Sequence, residues 1–140
     1  MSDPREDILD RLVAVLSNSD VTAKRMAVSV HATERPAIVI NDGDEVVELG
    51  KGGAAPMVVT LRPVLMIFAA SATSPGTAIN ELRASAIRAV LTDTELAGIA
   101  GVNGAIKYLG CETGLYRGET MEADMALNFE LTYVLKPADL

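Results

Sequence analysis

An α+β fold is what this 140-residue sequence predicts: a mostly antiparallel sheet, with an N-terminal helix and a main amphipathic helix packed on one face. Three patterns point to it. From Met121 to Leu135 every odd position is apolar (Met121, Ala123, Met125, Leu127, Phe129, Leu131, Tyr133, Leu135), while Glu122, Asp124, Asn128, Glu130 and Thr132 fill most even ones, which is the period of a strand with one buried face. Ile79, Leu82, Ala86, Ile87, Val90 and Leu91 instead recur at helical spacing, with Asn80, Glu81, Arg83 and Arg88 opposite. The order helix, strands, helix, strands, with hairpin-type connections, is that of α+β rather than alternating α/β architectures.

Taken in order, Asp3-Pro4-Arg5-Glu6 reads as a helix start, with Asp3 capping, Pro4 in the first turn where its missing N–H is harmless, and Glu6 at capping-box spacing. Ile8, Leu12, Val15 and Leu16 form its apolar face, widened by Leu9 and Val13, and Ser17-Asn18-Ser19-Asp20 ends it. Met26, Val28 and Val30 alternate with Ala27, Ser29 and His31 as a short strand would. Residues 37–40 form a β-branched run, Asn41-Asp42-Gly43-Asp44 carries the Asp-Gly signal of a tight hairpin, and Val46, Val47 and Leu49 make the return strand. Gly50-Lys51-Gly52-Gly53-Ala54-Ala55 is a loop or hairpin tip. Residues 57–69 form a second long extended segment, apolar on both faces toward its end and therefore expected to be central and covered on both sides, with a bulge or an edge passage at Pro63.

After the loop Ser71-Ala72-Thr73-Ser74-Pro75-Gly76-Thr77 comes the main helix. Thr92-Asp93-Thr94-Glu95 repeats a capping box and opens a short helix through Leu96 and Ile99. Residues 106–113 are a further strand, and Gly114-Leu115-Tyr116-Arg117-Gly118-Glu119 turns the chain into the last one. At about 3.3 Å per residue that last strand spans roughly 50 Å, against a radius of gyration of about 14 Å for a compact domain of this size. It must curl, bulge or project, and a projecting strand exposes backbone groups that another chain would have to cover. An oligomer is the first inference.

The chain suits one domain over 1–140, with no internal repeat or linker. Hydrophobic residues make up 49% and charged ones 22%, a balance that favours a folded globule. No apolar run approaches bilayer length and the start lacks a signal-peptide pattern, so a soluble chain made in a cytoplasm is expected. The formal net charge of −7 argues against a sequence-independent grip on DNA or anionic lipid, though an acidic protein can still line a passage for nucleic acid.

Catalysis needs convergent groups, and few are offered. His31 is the single imidazole; it could be a general base, but an exposed structural histidine is favoured because little else points to acid–base chemistry. Cys111, with no second cysteine and only Lys107 as a basic neighbour in sequence, reads as a buried inert thiol. Asp42, Asp44, Glu45 and Glu48 could attract a hard cation, yet hairpin chemistry and a solvated edge explain them, and no metal site is expected. Gly50-Lys51-Gly52-Gly53 lacks the following helix and hydroxyl residue of a phosphate loop. Two Phe, three Tyr and no Trp leave little for base stacking. Neither enzyme activity nor a cofactor is expected.

The N-terminal helix over 8–16, then Arg35-Pro36-Ala37-Ile38-Val39-Ile40 with its acidic hairpin, a long strand leading to Ser74-Pro75-Gly76-Thr77 and the main helix, and a closing strand with Leu131-Thr132-Tyr133-Val134-Leu135, together resemble the tail terminator (minor tail, or tail completion) proteins of long-tailed bacteriophages. The similarity is to the lambda-type terminator in particular, whose closing strand also carries a Leu-Thr-Tyr-Val core. It covers nearly the whole chain in element order, and the chain departs from it at 26–32 and at the glycine-rich tip 50–53. The resemblance implies a virion protein at the head–tail junction: a hexameric ring that caps the tail tube, stops its polymerisation and offers the head-attachment surface, with DNA passing through the hole without specific binding. The implied partners are the chain itself, the tail tube protein and a head completion or connector protein, with no membrane.

Subunit contacts are expected at Val46, Val47 and Leu49, at Met57 and Val59, and at Met121, Ala123 and Met125, because these apolar residues lie on segments that extend past the expected core. Asp42, Glu45 and Glu48 are expected near the lumen or a ring face. The proximal part of the last strand, up to about Ala126, is expected to reach a neighbour, and 127–135 to be core. The alternatives are another head–tail joining or tube protein, or a small-ligand-binding or enzymatic α+β oligomer with His31 and Cys111 near a pocket.

Overall fold

The computed structural model describes residues 3–26, 36–48, 51–69, 74–100, 105–117 and 121–140. Helix α1 (Pro4–Leu16) is followed by strands β1 (Thr22–Arg25), β2 (Ala37–Val47) and β3 (Met57–Phe68), helices α2 (Pro75–Thr92) and α3 (Thr94–Ala100), strands β4 (Ile106–Arg117) and β5 (Met121–Leu135), and a final 3₁₀ turn (Pro137–Asp139). The sheet order is β1-β2-β3-β5-β4. All pairs are antiparallel except β1 with β2, so the fold is α+β, as its sequence predicts. Among the described residues no helix is long and apolar enough to cross a membrane.

The core lies between the helices and one face of the sheet. Ile8, Leu9, Leu12 and Leu16 of α1, Ile79, Leu82, Ala86 and Val90 of α2, and Leu96 of α3 bury against Ile38 and Ile40 of β2, Val59, Leu61, Leu65 and Ile67 of β3, and Met125, Leu127, Phe129, Leu131 and Tyr133 of β5. Each aliphatic side chain buried this way contributes about 1.5–3 kcal/mol of transfer free energy. Leu91, expected on the same stripe, is instead 43% exposed, because Val90 takes the inward position. On the other face of β3 the residues Val64, Met66 and Phe68 are half-buried rather than buried, so that face is less covered than the helix-facing one, where a strand covered on both sides was expected.

Asp42-Gly43 does not form a hairpin. β2 runs straight through it, and the register against β3 jumps from Asn41↔Val64 to Asp44↔Arg62, so that Asp42 and Gly43 bulge opposite Pro63. A bulge uses the same positive φ as a primed turn, and Gly43 has φ 79. The opposing Pro63 lacks an N–H, so the local break in the ladder leaves no donor unsatisfied on β3. The hairpin is the one joining β2 to β3, with Lys51-Gly52-Gly53-Ala54-Ala55 in its turn.

Four other boundaries move. The first strand lies at Thr22–Arg25, and Met26, with φ 48, stands outside it; Val28, Val30 and His31 lie outside the described residues. β4 continues through Gly114, Leu115, Tyr116 and Arg117, where a turn was expected, because each pairs with β5. β5 does not divide at Ala126, which pairs with both Met66 and Glu112; β3 pairing lasts to Asp124, and only the first three residues of β5 run past it, paired with β4. Finally, α3 is capped by Asp93 rather than Thr92: Asp93 Oδ2 accepts the Leu96 N–H at 2.8 Å, while the Thr92 hydroxyl donates back to the Arg88 carbonyl at 2.6 Å.

Candidate self-association surface

The end of the sheet near the β2–β3 hairpin gathers most of the residues singled out by sequence. Val46 and Val47 are 49% and 44% exposed and point to opposite faces, since Val46 pairs with Thr60 and Val47 with Val59. Met57 is half-buried against the core. Val59 and Met125, expected at subunit contacts, are instead core residues at 0% and 3% exposure: period two puts them on the helix-facing side of the sheet. Met121 and Ala123 pair with Arg117 and Leu115 at the opposite end, and Leu49 lies outside the described residues. Val134, 42% exposed and paired with Val58, and Leu109, 53% exposed at a bulge in β4, are apolar surface residues that sequence reasoning missed. Val134 was legible, being the single apolar residue at an even position of the closing alternation besides Ala126.

Two of the three expected lumen acids are engaged inside the protomer. Asp42 accepts from Arg25 at 2.9 Å, and Arg25 also meets Glu6 at 2.6 Å and Asp10 at 3.4 Å, so one guanidinium ties β1, the bulge and the polar side of α1 together. Glu6 is thereby used for this ion pair, while Asp3 alone caps α1 by accepting the Arg5 N–H at 3.0 Å. Glu45 accepts from the Tyr133 hydroxyl at 3.2 Å and lies 3.8 Å from Arg5, which donates to the Gly43 carbonyl at 3.1 Å. Burial, reinforced by the Glu45 carboxylate, pushes the Tyr133 phenol up to about 12. Glu48 is exposed. Among the described residues no three of His, Cys, Asp and Glu converge as metal ligands would.

On the face away from the helices, one level of the sheet forms a row of alternating charge: Asp44 on β2 pairs with Arg62 on β3, Arg62 meets Glu130 on β5 at 3.4 Å, and Glu130 pairs with Lys107 on β4. The row's two ends, Asp44 and Lys107, are exposed and have no ion-pair partner among the described residues. The next level carries Val46, Thr60 and Thr132, the two threonine hydroxyls 3.3 Å apart.

Cys111 is exposed on β4, which corrects its assignment as a buried thiol; the edge position of β4 leaves it without a covering strand. Near it Arg83 of α2 lies over the Tyr108 ring, 5.5 Å from the centroid, and Tyr108 tilts against Phe129 at 5.4 Å. This cluster pins α2 to the outer strand by cation–π and aromatic contact, and its partners are distant in sequence. No protein-family model matches the chain, and no curated protein does either.

Proposed function

We propose that this chain is a structural protein whose copies close into a ring, a hexamer in the closest reading of the resemblance, that caps a phage tail tube, ends its polymerisation and presents the surface to which the head attaches. The observation that carries it is the layout of the segments bearing the resemblance: α1, β2, β3, α2 and β5 assemble as one layer pair, with Leu131-Thr132-Tyr133-Val134-Leu135 seated beside the central strand. Two further features support it. The helices lie on one side, leaving the other side of the sheet for contacts between molecules, and the hairpin end carries exposed Val46, Val47 and Val134. The net charge of −7 suits a passage that DNA traverses without adhering.

Negative-stain images of the purified chain should show rings with a central hole, and added protein should fix the length of growing tails and bar further tube subunits. Compact dimers or trimers without a hole would sink the proposal. Native mass spectrometry of Val47→Asp, a change at an exposed site that leaves the core intact, should show loss of the ring; an unchanged distribution would remove β2 from the contact.

A further inference from the structure

We infer that copies of this chain join head to tail through their sheet edges, the outer edge of the β4 end at 105–107 in one copy lying antiparallel to the outer edge of β2 at 44–46 in the next, with Lys107 beside Asp44. This deepens the ring proposed above by naming the surface that closes it. Among the described residues two sheet edges lie unpaired at the same level. β1 covers β2 only over Thr22↔Ala37 to Arg25↔Ile40, and Met26 adds one bond to the Ile40 carbonyl; beyond the bulge no described strand pairs with the outer side of β2. β4 is the opposite edge, and its Ile106 stands level with Glu45 through Leu131 and Leu61.

Strand polarity and charge both select this pairing. β2 and β5 run one way and β3 and β4 the other, so a neighbour in the same orientation brings its β2 antiparallel to β4 and continues the alternation of the sheet. The row Asp44, Arg62, Glu130, Lys107 alternates in sign, and the next copy's Asp44 follows Lys107 in step. Joining like edges would set Lys107 against Lys107 or Asp44 against Asp44. Edge lysines commonly block strand pairing; here the lysine rejects its own edge and accepts the acidic one. Val46 on one edge and Leu109 on the other, 49% and 53% exposed, lie two residues to either side of the Asp44–Lys107 contact and flank it with apolar surface. A heterologous contact of this kind forms a ring when its rotation closes.

The test uses the full chain with Cys111→Ser. Asp44→Cys and Lys107→Cys copies, oxidised separately and mixed, should cross-link only when mixed, and the double variant should give a ladder ending at the ring. Asp44→Lys and Lys107→Glu should each weaken self-association about tenfold or more, and the two together should restore it. Both sites are exposed, so unchanged thermal unfolding shows that the variants fold. Cross-linked dimers from either variant alone would overturn the pairing. Rings without the mixed cross-link would also overturn it while leaving the ring standing. Cross-linked open filaments would support the edge contact and sink the ring, and monomers without cross-links would remove both.

Discussion

Gly43 and Tyr133 are linked through Arg5 and Glu45 and report on the fold through different physics. Gly43 holds φ 79 inside the bulge, and a Cβ there would overlap the Arg62 carbonyl oxygen across the ladder. Gly43→Ala therefore combines backbone strain with a steric clash, and urea unfolding should show a loss of about 1–3 kcal/mol. Gly52 and Gly53 also have positive φ but face open space, so alanine there meets strain alone and should cost less. Tyr133 is fully buried, and its phenol is held up at about 12 against an ordinary value of about 10. A group raised on folding favours the folded state while it stays protonated in both states. Its contribution is thus complete below pH 10 and disappears as pH climbs through about 12. Stability measured by denaturant from pH 9 to pH 12 should fall more steeply for the native chain than for Tyr133→Phe.

At the scale of elements, what was legible was the type and order of most segments, because period two and period 3.6 survive tertiary packing. What was not legible was the difference between alternatives that share one local chemistry. Asp42-Gly43 satisfies a tight turn and a bulge equally, and the choice was made by Pro63 twenty residues later, which can oppose a bulge but cannot donate into a regular ladder. Likewise Thr92 and Asp93 are both good caps, and the choice was made by Arg11 of α1, whose guanidinium forks onto Asp93 at 2.8 and 2.7 Å and reaches Glu95 at 3.1 Å. Arg11 holds the Asp93 carboxyl below the usual carboxylate range, more than burial raises it, so this contact weakens only in acid. Asp93→Ala removes the cap of α3 and the link to α1 together. It should lower stability by about 1–2 kcal/mol from the cap alone, read from thermal unfolding, and Asp93→Asn should retain part of the cap while losing the acid-sensitive component.

For the whole molecule, the sequence showed which apolar residues exist but not where strand pairing would end and the helices would cover the sheet, so Val59 and Met125 went to the core and Leu109 reached the surface at a bulge, while the outward Val134 could be read from its even position. The alternating charge row was hidden for the same reason, since its members come from four strands and meet only through register. In the proposed edge contact that row enters the balance of forces between copies. Each copy carries a net −7, so copies repel at long range, whereas the proposed contact between exposed Asp44 and Lys107 is a weak and local attraction. At about 10 mM salt the screening length of about 30 Å spans a neighbouring copy, and at about 150 mM it shrinks to about 8 Å, which removes the net repulsion while the proposed backbone ladder and the apolar surface of Val46 and Leu109 flanking it persist. Self-association measured by sedimentation should therefore strengthen as salt rises over this range. Lys107→Glu, which adds two units of negative charge per copy at the edge, should show a steeper rise from a weaker start. A native assembly that dissociates with added salt would mean that charge pairs, rather than strand edges and apolar contacts, hold the copies together.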